Sequence, residues 1–128
     1  MNTQKYKIGV VGLGPVGMIL AVHFKQAGCN VAICDLNQEK IELIQREGIK
    51  LVGEVEKSSH FEEIYNSLDD LLNSGVNLIV SCVKSYRVEN MIKTIKEHET
   101  DLYILSAQNG IDISQKYIGC IDESRILR

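Results

Sequence analysis

The sequence predicts a single α/β domain built on a doubly wound parallel sheet, with helices on both faces of the sheet. Three observations predict this fold class. Short runs rich in Val and Ile alternate along the chain with longer segments of helical periodicity. A βαβ order requires right-handed crossovers, which place helices on both faces of the sheet. The 128 residues, 45% of them hydrophobic, suffice for one core, and a single Pro and no low-complexity tract mark no internal linker.

Four strands are predicted from short apolar runs that are bounded by turn residues. Such runs, rich in β-branched residues, are typical of strands that are buried on both faces of a parallel sheet. In chain order they are Ile8–Val11, Asn30–Cys34, Asn77–Val83 and Leu102–Leu105.

Four helices are predicted from their start and stop signals. The first begins with Pro15, which suits a first helical turn, and ends before Gly28. The second ends before Gly48, the third is short and capped, and the fourth has one apolar face. In chain order they are Pro15–Gln26, Gln38–Glu47, Ser67–Asn73 and Arg87–His98. The segment Lys50–Ser59 fits either one short strand with a polar loop or two edge strands around Gly53.

Charge and hydropathy argue against several classes of partner. A net charge of -3 leaves no broad basic field, so we expect no nucleic-acid partner. No apolar run approaches the roughly 20 residues that span a bilayer, and the N-terminus lacks the apolar region of a signal peptide. We therefore expect a cytoplasmic protein without a membrane partner. The sequence leaves open whether the chain forms a homo-oligomer.

The cysteines and histidines indicate neither a disulfide framework nor a metal site. No two cysteines form a C-x-x-C pair, and three of the four lie in apolar runs, where a thiol behaves as a small hydrophobic group. We expect reduced thiols. The three histidines are far apart and lack the spacing of metal ligands, so we expect no metal. These residues are Cys29, Cys34, Cys82, Cys120, His23, His60 and His98.

A glycine motif, G-x-G-x-x-G, joins the first predicted strand to the first predicted helix. The motif alone is weak evidence, because a tight strand-to-helix turn also favours glycine. Its context is stronger, since backbone N–H groups and the positive end of the helix face one point there, as a pyrophosphate site requires. The predicted cofactor-binding residues of this turn are Gly12, Leu13, Gly14, Pro15, Val16 and Gly17.

Asp35 lies at the end of the second predicted strand, 18 residues beyond Gly17. An acid at this place matches the residue that binds an adenosine ribose in dinucleotide-binding domains. Its carboxylate would repel the 2′-phosphate of NADP, and no Arg or Lys follows until Lys40, so the local chemistry favours NAD. The alternative is an N-cap or turn acid before the helix that begins near Gln38, and the two roles can coexist.

Two later strand ends carry polar residues where doubly wound sheets bind their ligands. Lys84 follows an apolar strand, in "NLIVSCVKSYRVENM", and is a candidate cation near the cofactor. Asn109 follows the next strand, in "LYILSAQNGID", and is a candidate amide near the nicotinamide or the substrate. Each also has a plain alternative, because a lysine there can be a solvated strand-end charge and Asn-Gly is a common turn pair.

Together, the glycine turn, "VKSY" and "SAQNGID" resemble the N-terminal domain of the ketopantoate reductase (2-dehydropantoate 2-reductase) family over nearly the whole chain. The resemblance implies a Rossmann-like fold and reduction of the 2-keto acid ketopantoate to pantoate with NADPH, in pantothenate biosynthesis. It implies that Lys84 and Asn109 are catalytic: Lys84 beside the cofactor and the substrate cleft, and Asn109 near the reacting centre.

The sequence departs from that family pattern in two ways. Many members carry a basic residue near the position of Asp35, so the acid here favours NADH over NADPH. The family also has a helical C-terminal substrate domain with a lysine general acid, and nothing in residues 1–128 corresponds to it. Because hydride transfer to a ketone needs a positioned proton donor, we expect a dinucleotide-binding domain that binds the cofactor without completing the reaction alone.

Two other classes share part of the pattern. Nucleotide-sensing regulatory domains of potassium transport systems are of similar length, with a similar glycine turn and an acid after the second strand. Dehydrogenases of the β-hydroxyacid type share the glycine turn. Neither class requires the pair formed by "VKSY" and "QNG", which favours the reductase family.

Overall fold

The computed structural model describes residues 6–52, 57–98, 102–107 and 123–127. Its strands are β1 Lys7–Val11, β2 Asn30–Cys34, β3 Ile49–Leu51, β4 Lys57–Ser59, β5 Glu63–Tyr65, β6 Leu78–Ser81, β7 Tyr103–Ser106 and β8 Ile126–Leu127. Its α-helices are α1 Pro15–Gln26, α2 Gln38–Glu47, α3 Leu68–Asn73 and α4 Val88–His98, and short 3₁₀ helices cover Ser85–Arg87 and Glu123–Arg125. No helix among these residues has the length and the apolar character that crossing a bilayer requires.

Six of the strands form one parallel sheet in the order β5-β2-β1-β6-β7-β8. The chain winds outwards from β1 in one direction through β2 and β5, and in the other through β6, β7 and β8. The predicted doubly wound α/β fold is confirmed. In such a sheet, ligands bind at the carboxyl ends of the strands, in the crevice where the direction of winding reverses. Here that crevice lies between the carboxyl ends of β1 and β6.

The core lies in two layers, one on each face of the sheet. Residues of β1 alternate between the layers: Val10 belongs to the layer that contains α1 and α2, and Val11 to the layer that contains α3 and α4. Val10 is fully buried and Val11 is 6% exposed. Apolar residues thus lie on both sides of the strand, and this explains why residues 8–11 of β1 are apolar without alternation.

Local signals predict the helix ends well. Helices α1 and α2 span the predicted residues. The Oγ of Ser67 accepts a hydrogen bond from the N–H of Asp70 and so caps α3, as predicted. Helix α4 begins one residue later than predicted, because Arg87 belongs to the preceding 3₁₀ turn. These signals are detectable in the sequence because each depends on residues within one helical turn.

The segment around residues 50–59 contains two strands, but they do not lie at an edge of the main sheet. Strands β3 and β4 pair antiparallel in a separate two-stranded sheet, with Ile49 opposite Ser59. Residues 53–56, which include Gly53, lie outside the described part of the chain. Ile49 is buried in the same layer as α1 and α2, so the small sheet covers that face and does not extend the main sheet.

Two edge strands were not predicted, β5 and β8. Strand β5 has three residues, two of them polar, and pairs with β2, with Glu63 opposite Ala32. The Lys7 ammonium lies 2.6 Å from the Glu63 carboxylate, and the same carboxylate accepts a hydrogen bond from the Tyr65 hydroxyl at 2.9 Å. Side chains that are distant in sequence therefore help to place β5, and no apolar pattern marks it. Strand β8, Ile126–Leu127, is shorter still, with two residues.

Candidate functional site

The turn between β1 and α1 leaves no room for side chains at two of its three glycines. Gly12 has a φ of +94°, and a Cβ built on it would lie 2.7 Å from the carbonyl carbon of Cys82. A Cβ on Gly17 would lie 1.9 Å from the carbonyl oxygen of Gly12. These two glycines allow α1 to approach the ends of β1 and β6 closely. Their role is in packing the turn.

Gly14 has a different environment. Among the described residues, no heavy atom outside its chain neighbours would lie within 4 Å of a Cβ built on it, so the described part of the chain leaves the space in front of it open. Gly14 is the N-cap of α1, none of the side chains that the structure describes caps the helix there, and Pro15 begins the helix. The first intrahelical bond runs from the N–H of Met18 to the carbonyl of Gly14. The N–H groups of Val16 and Gly17 precede that bond and, with the helix dipole, suit an anion.

Leu13 differs from the other residues of the turn because its side chain is fully buried in the core. Its peptide groups are both bonded to side chains that follow β2. The N–H donates to Oδ2 of Asp35 at 2.7 Å, and the carbonyl accepts from Nζ of Lys40 at 3.0 Å. Leu13 thus anchors the turn to the segment after β2, and its N–H points to Asp35.

Asp35 is held by backbone on three sides. Its N–H donates to the carbonyl of Tyr65 at 3.1 Å, and its Oδ1 accepts from the N–H of Asn37 at 2.8 Å. Asn37, not Asp35, caps α2, because its Oδ1 accepts the N–H of Lys40. The N-cap alternative for Asp35 is therefore wrong, and its alternative role as a turn acid before α2 is confirmed by the bond from Asn37. Each carboxylate oxygen has one backbone donor and keeps acceptor capacity for a further hydroxyl.

Lys84 lies in the segment that follows β6, three residues beyond the end of that strand at Ser81. The N–H of Cys82 donates to the carbonyl of Val11 at 2.8 Å, so the chain leaves β6 next to the end of β1. Lys84 is exposed, and its carbonyl accepts the N–H of Arg87 in the turn that leads into α4. The strand predicted over Asn77–Val83 is shorter, Leu78–Ser81, because the chain turns over Gly12 from Cys82 onwards.

Two exposed side chains near Lys84 were not predicted as part of the site. The Arg87 guanidinium lies 5.5 Å from the centre of the Tyr86 ring. Hydrogen bonding to Arg87 and its positive charge lower the pKa of Tyr86, with a smaller contribution from Lys84. A cationic group at the start of α4 is unfavourable for the helix dipole, which is the one sequence signal that could have drawn attention to Arg87.

Asn109, with Gln108 and Gly110, lies outside the described residues, so its place at the site stays a prediction. The strand that precedes it, β7, ends at the same edge as β6. The N–H of Ala107 donates to the carbonyl of Ser81 at 3.0 Å, which brings the chain to that edge two residues before Asn109.

The thiols near the site are protonated and packed. Burial raises the pKa of the Cys34 thiol to about 12, with a smaller contribution from the negative charge of Asp35. Burial also raises the pKa of Cys82 to about 11. Cys29, Cys34 and Cys82 are free cysteines, as predicted, and Cys120 lies outside the described residues. Within the described ranges, no three His, Cys, Asp or Glu side chains form a group that could hold a metal ion.

Three features together define a Rossmann-like dinucleotide-binding domain. They are a parallel sheet that reverses its winding at a glycine turn, an open helix N-terminus, and an acid after the next strand. The family model described as ketopantoate reductase PanE/ApbA matches residues 8–128. The chain therefore belongs to the ketopantoate reductase family. This confirms the resemblance based on the glycine turn, "VKSY" and "SAQNGID", and sets aside the potassium-transport and β-hydroxyacid alternatives.

Individual relatives agree with this membership. A 2-dehydropantoate 2-reductase of Listeria innocua is 26% identical over 108 residues, which are 84% of this chain and 35% of that protein. A structure described as 2-dehydropantoate 2-reductase from Enterococcus faecalis is 25% identical with a TM-score of 0.78, over 94% of this chain and 39% of that one. The one described as panE from Bacillus subtilis is 30% identical with a TM-score of 0.70, over 81% and 34%. The chain thus spans little more than a third of these relatives.

Proposed function

We propose that this chain binds a nicotinamide dinucleotide and forms the cofactor-binding part of a reductase for a small 2-keto acid, with ketopantoate (2-dehydropantoate) as the first candidate. The observation that carries the proposal is the open space in front of Gly14 at the uncapped start of α1, between two glycines that pack tightly. Family membership and the names of the relatives support the reaction. A D-mandelate dehydrogenase with the same fold was solved with NADH, at 21% identity and a TM-score of 0.78.

In this proposal, each residue of the site has its own role in binding or in the reaction. The first-turn N–H groups of α1, at Val16 and Gly17, bind the pyrophosphate, and Asp35 accepts hydrogen bonds from the adenosine ribose. A bound reduced nicotinamide supplies the hydride for the keto carbon. Lys84, three residues beyond β6, places a positive charge where the keto oxygen becomes negative during that transfer. Asn109 belongs to the same site in this proposal, and it orients the substrate or the nicotinamide amide.

Asp35 gives this site a preference for NADH over NADPH. Its carboxylate is 16% exposed and fixed by Leu13 and Asn37, so it cannot turn away from a 2′-phosphate without losing two hydrogen bonds. We expect NADH to bind more tightly than NADPH. Asp35→Asn should narrow the difference in affinity between NADH and NADPH. It removes the repulsion of the 2′-phosphate and also a charged hydrogen bond of about 1.5–3 kcal/mol to the ribose.

Calorimetric titration with both dinucleotides measures this preference. Glu97→Gln is the matched control, because it removes the same charge from an exposed position on α4 and should leave both affinities unchanged. Tighter binding of NADPH than of NADH by the unaltered chain would show that Asp35 does not select the cofactor.

Lys84 acts in the chemical step more than in dinucleotide binding. In the complete gene product, Lys84→Gln should lower kcat/KM for ketopantoate by about 100-fold, the typical effect of losing one stabilising group at a developing oxyanion. The affinity for NADH should change less than about threefold, since Lys84 is not part of the glycine turn that this proposal assigns to the pyrophosphate. Steady-state assays with ketopantoate and other 2-keto acids, alongside NADH titrations, separate the two effects.

Lys93→Gln, an exposed lysine on α4, is the control for this test. Equal losses in NADH affinity and in kcat/KM would assign Lys84 to the cofactor and not to the reaction. Unchanged kinetics would make it a solvated strand-end charge.

A further inference from the structure

The ammonium of Lys40 is held against the dinucleotide turn. It lies 3.0 Å from the carbonyl oxygen of Leu13 and 3.9 Å from Oδ2 of Asp35. Lys40 stands in the first turn of α2, three residues after the capping Asn37, and its side chain is 35% exposed. A cation in a first helical turn is disfavoured by the helix dipole, and holding a long flexible side chain costs conformational entropy. The contacts with Leu13 and Asp35 offset both the unfavourable dipole interaction and the entropy cost.

Lys40 and Asp35 together occupy both polar groups of Leu13. Asp35 accepts the N–H and Lys40 donates to the carbonyl, so the turn that leads to Gly14 is held by one side chain of each charge. The separation of 3.9 Å between Nζ and Oδ2 is too long for a hydrogen bond but short for an electrostatic interaction. The carboxylate that faces the ribose therefore has a cation beside it.

A 2′-phosphate on the ribose would meet this pair of charges rather than a bare carboxylate. Asp35 would repel the phosphate, and Lys40 would attract it. The lysine stem is flexible and its ammonium has three donors, so it can keep its bond to Leu13 and still donate to a further oxygen. Asp35 cannot move in the same way, because backbone N–H groups hold both of its oxygens.

We propose that Lys40 is a specificity-determining residue that sets how far this site tolerates a 2′-phosphate. The inference rests on the proposed function, because it takes Asp35 to be the ribose-binding acid. It follows that the preference for NADH over NADPH is moderate in the unaltered chain. Removing the charge of Lys40 should increase the preference, whereas removing the charge of Asp35 should decrease it.

The test measures the dissociation constants of NADH and NADPH by fluorescence titration for the unaltered chain, Lys40→Gln, Lys40→Arg and Lys25→Gln. We expect Lys40→Gln to weaken NADPH binding by about tenfold and NADH binding by less than about threefold, because only NADPH offers the phosphate. Lys40→Arg should keep the ratio close to that of the unaltered chain. Lys25 is the control, since it lies in the last turn of α1, at the opposite edge of the sheet.

The outcomes separate the inference from the function on which it rests. Equal weakening of both dinucleotides by Lys40→Gln would make Lys40 only a brace of the Leu13 turn and would overturn the inference, while the binding function would stand. Failure of the unaltered chain to bind either dinucleotide would overturn both. Should Lys40→Gln not fold, the salt dependence of the unaltered chain decides. A steeper loss of affinity with salt for NADPH than for NADH supports the role of Lys40, and equal slopes refute it.

Discussion

Replacing Gly14 by Val is expected to weaken NADH binding by at least about 100-fold, while the chain keeps its fold. Gly14 has φ -76° and ψ -170°, an extended conformation that Val adopts readily. A Cβ there meets no atom of the residues that the structure describes, so the fold tolerates the side chain, at a cost of about 1 kcal/mol for the poorer N-cap. The same side chain fills the space in which the proposal places the pyrophosphate.

NADH fluorescence titration and thermal unfolding, measured on the same samples, distinguish loss of the site from loss of the fold. Ala27→Val is the matched control, because it adds comparable bulk at the other end of α1, in an exposed helical conformation. It should leave NADH affinity unchanged. Equal NADH affinity of the Gly14→Val variant and the unaltered chain would refute the assignment of the turn to the pyrophosphate.

Replacing Gly17 by Ala is expected to have the largest effect on stability, a loss of at least about 3 kcal/mol in the free energy of unfolding. A Cβ there would lie 1.9 Å from the carbonyl oxygen of Gly12, which is backbone and cannot rotate away. Helix α1 would have to move off the sheet, although Ala has the higher helix propensity by about 1 kcal/mol. Small domains have only about 5–15 kcal/mol of total stability, so the variant should be close to unfolding.

Chemical denaturation of Gly17→Ala beside Gly14→Ala makes the comparison within one motif. The added Cβ of Gly14→Ala meets no atom in the described ranges, so the free energy of unfolding of this variant should lie within about 1 kcal/mol of that of the unaltered chain. Similar stability of the two variants would contradict the division of the motif into packing glycines and a ligand-facing glycine.

The fold class and the helices were predictable because their signals are local. Pro15 at the start of α1 and Ser67 at the cap of α3 act within one helical turn of the backbone that they stabilise. The buried strands were predictable because a parallel sheet that is covered on both faces requires continuous apolar runs. The motifs at the ends of those strands were then sufficient to predict the family.

Other features depended on residues that meet only when the chain folds. The sequence contains no pattern for β5, whose Glu63 pairs with Lys7, 56 residues away. The sequence shows three glycines in one G-x-G-x-x-G motif and does not tell their roles apart. Only the close approach of Cys82 to Gly12 and of Gly12 to Gly17 distinguishes the two packing glycines from Gly14.

The sequence by itself determined the doubly wound fold, the family and the candidate residues Gly14, Asp35 and Lys84, because each follows from local periodicity or a short motif. The tertiary structure alone decided that Lys40 and Asp35 hold the two polar groups of Leu13, across 27 and 22 residues of sequence. Such contacts are set by the packing of α2 and β2 against the turn. Hydrogen bonds and charges act over a few ångströms of space, and sequence distance does not encode that separation.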